Sequence, residues 1–185
     1  SSDLFGNDYA TRTLGEDVTG LISALGAQQA VVVGHDWGAA AVYSAASENP
    51  AKISKLVAIG FPHPRAIANS LVGVFWDAPH FVYYQFPWAE RLVSDNDFAH
   101  IDRLYRSWAA PGFTPSADTL TDIKSTLRMP GATSAALAYY RALLKDPLSI
   151  SKAAKTTIAA PTLVIAGVED QPAQIARPHL SARRE

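Results

Sequence analysis

Residues 33–39 read Val-Gly-His-Asp-Trp-Gly-Ala, and it is Gly34, Asp36 and Gly38 whose types and spacing could do chemistry. Glycines two positions either side of an acid suit a sharp strand-to-helix turn, in which the apex residue is strained and its neighbours must be small. The apex here is Asp36, its carboxylate raised near a helix N-terminus, which favours negative charge. A hydroxyl at such an apex needs a base before it can attack. A carboxylate can directly displace a leaving group from saturated carbon and form an alkyl ester on the protein. Release then requires water to attack the ester carbonyl, with a histidine base and donors for the oxyanion. The backbone N–H of Trp37 is placed to be one such donor. His35 flanks the apex on its other side as a candidate substrate-binding residue, although packing or surface exposure is its simpler reading. An aspartate at this point could also serve only as a helix cap, a role it fills well. The two glycines and the apolar strand before them favour the nucleophile.

The elements that must hold this apex can be read on either side of it. Val18, Leu21, Ile22 and Leu25 form the stripe of an amphipathic helix over 16–25, with Gly26 placed to end it. Ala30 to Val33 is a β-branched run without a polar face, as expected of a strand buried on both sides. A helix over Ala39 to Ser47 follows Gly34 and the apex. Leu56 to Ile59 is a second strand, closed by Gly60 and Pro62. Leu163 to Ile165 is a third, preceded by Pro161 and closed by Gly167. Strand, helix, strand with short connections implies a right-handed parallel unit. Between the second and third strands the sequence turns aromatic and helical, with candidates over 78–93, 96–109, 116–128 and 132–145. Pro111, Pro115, Pro130 and Pro147 punctuate them. This stretch reads as a helical insertion over the C-terminal edge of the sheet, where open α/β sheets bind ligands. The expected division is a core over 1–66, a helical cap over 67–147 and a return to the core over 148–185, ending in an unstructured tail.

Composition sets the frame. The chain is 48% apolar and 18% charged with a net charge of −1, the profile of a globular protein without a nucleic-acid or anionic-membrane surface. It has no cysteine, which excludes disulfides and thiolate metal sites and fits a cytoplasmic protein. No apolar run is long enough to span a bilayer, and the histidines lack metal-ligand spacing. No cofactor and no metal are expected, and a homo-oligomer is left open.

Gly34-His35-Asp36-Trp37-Gly38, Phe61-Pro62-His63-Pro64, Tyr84-Gln85-Phe86-Pro87 and Ala138-Tyr139-Tyr140-Arg141 together resemble the epoxide hydrolase branch of the α/β-hydrolases, with haloalkane and fluoroacetate dehalogenases as relatives. The resemblance runs from about residue 8 to about residue 170. It implies a partial α/β-hydrolase fold, a parallel sheet with a helical cap insertion. It further implies that an epoxide oxygen is held by two cap phenols, which can donate as the alkoxide develops. Tyr140 falls on the second of these. The first position falls on His80, so either His80 replaces the phenol, Tyr83 substitutes for it, or the site no longer opens epoxides. Asp170, after the third strand, matches the acid that orients the catalytic histidine, with Glu169 as the fallback.

Two parts implied by the resemblance are not found. No His-Gly-x-Pro loop lies before Asp36, and beyond Asp170 the only histidine, His179, has no buried strand before it. The expectation is therefore a piece of a longer hydrolase, with Val31 to Val33 on an open apolar edge. The activity expected of the parent is epoxide opening through an ester on Asp36, on a small apolar electrophile. The alternatives are a dehalogenase using the same aspartate, or a catalytically incompetent fragment or binding module. Phe75, Trp76, Phe81, Trp88 and Trp108 are candidates for an apolar pocket.

Overall fold

The computed structural model describes residues 9–69, 78–145 and 147–169. Three strands, β1 (Ala30–His35), β2 (Ile53–Ile59) and β3 (Thr162–Ile165), form a parallel sheet in the order β1-β2-β3. Helix α1 (Thr11–Ala24) precedes β1, and α2 (Trp37–Glu48) leaves it without a loop. Four residues separate the end of β2 from the short helix α3 (Pro64–Asn69). The chain then builds α4 (His80–Tyr83), α5 (Ala89–Trp108), α6 (Ala117–Leu127), α7 (Ala132–Lys145) and α8 (Pro147–Lys155) before β3. Among the described residues no helix is long and apolar enough to cross a membrane.

The core lies on one face of the sheet. Val32 of β1 and Leu56 and Ala58 of β2 pack there against Val42, Tyr43, Ala45 and Ala46 of α2 and Ile22 of α1. The helical periodicity of α1 is as expected, but its buried side is not. Leu21 and Leu25 are 61% and 76% exposed, whereas Gly15 and Ile22 are buried. The reason is close approach: a Cβ on Gly15 would lie 2.7 Å from Ser44 Oγ and 2.8 Å from the Ala45 nitrogen. α1 therefore rests on α2 through its smallest residue, and the leucines are turned outward.

The other face of the sheet is largely exposed among the described residues. Val31 and Val33 are 58% and 63% exposed, and Leu163 and Ile165 are 56% and 44% exposed. The register puts Val33, Val57 and Leu163 in one row across this face, and His35, Ile59 and Ile165 in the next. β1 is thus not buried on both sides, as its composition suggested. It is an edge strand of this sheet with only Val32 and Gly34 buried.

The helical stretch differs from expectation in two places. The helix expected over 78–93 is broken, because α4 ends at Tyr83 and α5 starts at Ala89. The separate helix expected from residue 96 instead continues α5 across a left-handed turn, with Asn96, Asp97 and Phe98 at φ 51°, 54° and 59°. Ion pairs from Arg128 and Lys124 to Asp97 and the Arg128 guanidinium over the Phe98 ring hold this strained turn. Tyr84, Ala89, Val93, Phe98 and Leu137 form a second small core beneath it.

Candidate active site

β1 and α2 meet at Asp36, which has φ 52° and ψ −118°. This is a strained conformation for a non-glycine residue, of the kind that persists only where the surroundings enforce it. They do so here through the backbone. The Asp36 N–H donates to the Ile59 carbonyl at 3.0 Å, and the Asp36 carbonyl accepts from Ala39 and Ala40 at 2.9 and 3.2 Å. Asp36 occupies the N-cap position of α2, yet its side chain makes no capping hydrogen bond. The helix-cap reading of this acid therefore fails on geometry. The two flanking glycines are not equivalent. A Cβ on Gly34 would lie 2.3 Å from the Gly38 carbonyl oxygen, whereas a Cβ on Gly38 would meet nothing within 4 Å. Strand and helix can cross at this distance only because residue 34 has no side chain.

An aromatic wall stands over the apex. The half-buried Trp37 ring has Tyr140 edge-on at 5.1 Å and 84°, Tyr139 at 5.5 Å, and Phe61 and Phe81 each at 6.3 Å. Tyr9 closes on Tyr139 at 5.0 Å. The loop after β2 thus contributes Phe61, α4 contributes Phe81, α7 contributes Tyr139 and Tyr140, and Tyr9 comes from just before α1. Tyr140 is pushed up to about 12, chiefly by burial and partly by the negative charge of Asp36, with contact to Trp37 acting the other way. Trp37, Tyr140 and Asp36 therefore share one space. As the first residue of α2, Trp37 carries a backbone N–H without an intrahelical acceptor.

Of the two candidates for the first cap position, the geometry separates His80 from Tyr83. His80 is buried and meets Tyr140 at 5.5 Å, Phe81 at 4.8 Å and Trp108 at 5.0 Å. Burial, reinforced by His100, lowers it to about 4, so its imidazole is neutral at pH 7. Tyr83 meets Tyr84 and His100 at 4.9 and 5.8 Å and, like Tyr140, flanks the second small core. His100, read from sequence as packing or surface, is buried, with its Nε2 2.8 Å from the Tyr84 hydroxyl. No spacing signal in the sequence could have paired these two residues across a helix break.

His35 ends β1 in the row of Ile59 and is exposed. Asp170, Phe75, Trp76 and His179 lie outside the described residues. Glu169 is exposed in the turn after β3. Of the other pocket candidates, Phe81 and Trp108 reach the site, but Trp88 does not. It is 51% exposed and stacks on Phe86 at 5.4 Å. No group of three or more metal-ligating side chains occurs among the described residues.

A family model described as alpha/beta hydrolase fold matches the chain over residues 1–178. The chain belongs to the α/β-hydrolase fold family. It is 32% identical over 169 residues to the AB hydrolase superfamily protein YfhM of Bacillus subtilis, covering 89% of this chain and 58% of that protein. Human epoxide hydrolase 4 is 27% identical over 171 residues, covering 88% of this chain and 46% of that protein. This α/β-hydrolase chain thus spans about half the length of the curated relatives it matches. Its fold also resembles the structure of a Bacillus megaterium epoxide hydrolase in complex with an inhibitor. That match has a TM-score of 0.73 and 21% identity, covering 93% of this chain and 63% of the other. The homology is to epoxide-hydrolase-like hydrolases, at a distance.

Proposed function

We propose that this α/β-hydrolase chain carries the nucleophile and ring-opening donors of a hydrolase acting on epoxides or similar electrophilic carbon. The observation that carries the reading is Asp36 itself, held at φ 52° with no capping hydrogen bond and with its charge felt by the Tyr140 phenol. An Asp36 carboxylate oxygen attacks a ring carbon. The C–O bond breaks, its electron pair goes to the epoxide oxygen, and that oxygen takes a proton from the Tyr140 hydroxyl while the neutral His80 ring can donate a hydrogen bond to it. The charge relationship favours this order of events. While Asp36 is a carboxylate it holds the Tyr140 proton on, and once it becomes an ester that restraint is gone. Release then needs water to attack the ester carbonyl, with the Trp37 backbone N–H as one oxyanion donor and with a histidine base, oriented by Asp170, that is assigned to no residue of this sequence. The wall of Trp37, Phe61, Phe81 and Tyr139 suits a small apolar substrate without a cofactor. Consistent with the sequence reading, the protein acts in the cytoplasm.

One observation favours a second reading. His80 stands where a ring-opening phenol is expected, and its N–H together with the Trp37 indole could hold a departing halide, as in a dehalogenase using the same Asp36 ester. Intact-mass and peptide spectrometry after incubation with styrene oxide or, separately, 1-iodobutane tests both readings. An epoxide adduct on Asp36 supports the first, and an adduct from the iodide alone supports the second. No adduct from either, on folded protein, overturns both and leaves a binding module.

A further inference from the structure

Tyr140 is one residue on a helix packed over the sheet, and its reach to Asp36 depends on how that helix is held. Two side chains hold it at this turn. Gln85, just beyond α4, donates from Nε2 to the Tyr140 carbonyl at 2.9 Å and to the Phe81 carbonyl at 2.9 Å. Arg141 donates from Nε to the Tyr84 carbonyl at 3.1 Å and from Nη2 to the Phe86 carbonyl at 3.0 Å. It also grips both carboxylate oxygens of Glu90 through Nη1 and Nη2, at 2.5 and 2.9 Å. The resulting contacts tie one turn of α7 to the end of α4, the turn after it and the start of α5. Carbonyls at a helix end have no partner within the helix, so an arginine that satisfies them also fixes the chain direction there. The bidentate pair with Glu90 adds angular definition that a point charge would not. The pair holds Glu90 below the usual carboxylate range and raises Arg141.

These contacts pin the same short segments that carry the site. Phe81 lies on Trp37 and Tyr140, His80 lies on Tyr140, and all depend on α4 keeping its place against α7. We propose that Gln85 and Arg141 are positioning residues that set the Tyr140 phenol, and with it His80, over Asp36. Neither side chain is assigned contact with substrate. The inference rests on the reading of Tyr140 as a ring-opening donor, and its test is built so that the two can fail separately.

Two variants serve: Gln85→Met keeps the volume and removes the donors, and Arg141→Lys keeps the charge and removes the fork. The first readout is the resonance of the Trp37 indole N–H, which feels the Tyr140 ring edge-on. It moves in both variants, while the melting temperature and the rest of the spectrum stay close to those of the parent chain. The second is the rate of ester formation on Asp36. With styrene oxide, which needs a placed donor, it falls about 10²-fold, the loss expected from a displacement of about 1 Å. With 1-iodobutane, whose iodide leaves with its electron pair and takes no proton, the rate falls less than with styrene oxide, since only hydrogen bonds to the halide are disturbed. An unmoved Trp37 resonance in both variants overturns the proposal. So does equal slowing with the two reagents accompanied by a lowered melting temperature, since a general structural role would do that. If the parent chain forms no ester with either reagent, the proposed reaction falls, and the Trp37 resonance alone decides whether Gln85 and Arg141 position Tyr140.

Discussion

A Cβ placed on Gly34 would come within 2.3 Å of the Gly38 carbonyl oxygen, while one placed on Gly38 would touch nothing. The turn at Asp36 therefore has one obligatory glycine. Gly34→Ala forces strand and helix apart and destabilises the chain by about 1–3 kcal/mol, the range of overpacking in a close-packed site. Gly38→Ala has no such clash, and removing a helical glycine adds up to about 1 kcal/mol in its favour. Urea unfolding of the two variants side by side checks the contrast, and equal losses would contradict it.

Relieving the strain at the apex should trade chemistry for stability. Asp36→Gly puts at φ 52° a residue that adopts positive φ without penalty. The strain released is about 1–3 kcal/mol, offset in part by the greater freedom of an unfolded glycine, so a net gain of about 1 kcal/mol is expected. The variant forms no ester with any electrophile. A melting curve and a mass spectrum on one preparation test both halves. A loss of stability would mean that the Asp36 side chain holds the turn together in its own right.

Buried neutral histidine predicts sensitivity to acid. Burial first, and then the charge of His100, lowers His80 from 6.5 to about 4. Because the folded value lies below the unfolded one, the unfolded chain binds the proton more readily. The contribution of His80 is present above about pH 6.5 and is lost as the pH falls toward 4. His100 is lowered too, by burial and by Arg103, and acts in the same direction. The melting temperature should fall through this window and fall less in His80→Phe. An identical pH profile in the two proteins would remove His80 as the cause.

Tyr43 is 1% exposed, and its hydroxyl has no hydrogen-bond partner among the described residues. Burial pushes it up to about 12. A hydroxyl removed from water without a partner costs about 1–3 kcal/mol. Tyr43→Phe keeps the ring against His63 at 5.2 Å and removes the cost, so stability rises by about 1 kcal/mol or more. A lower unfolding midpoint would show that the hydroxyl is satisfied in solution.

What the sequence disclosed follows from how local each cause is. The Gly34-x-Asp36 turn was legible because its steric demand lies within five residues. The strands were legible because β-branched runs between glycine and proline leave few alternatives, but their exposure was not. Composition reports that Val31 and Val33 suit a covered face and cannot report whether that face is covered. In α1, periodicity marked Leu21 and Leu25, whereas the buried side was decided by Gly15 against Ser44 on another helix. The left-handed turn at Asn96 to Phe98 contains no glycine to announce it and is held by Lys124 and Arg128 from far along the chain. At the site, Tyr140 was carried by resemblance. The different neighbours of His80 and Tyr83, Tyr140 for the one and His100 for the other, depend on a helix break that the pattern over 78–93 concealed.

The ring arrangement around Trp37 has an optical consequence. The chain has four tryptophans, and Trp37 is the one next to Asp36, half-buried between Tyr139 and Tyr140. Trp88, by contrast, is half exposed to solvent. An indole responds to charge close to it, and converting the adjacent carboxylate to a neutral ester removes such a charge. Light emitted by Trp37 should therefore change colour and intensity as the site fills and reacts, so the protein carries its own dye at the place where chemistry would be watched.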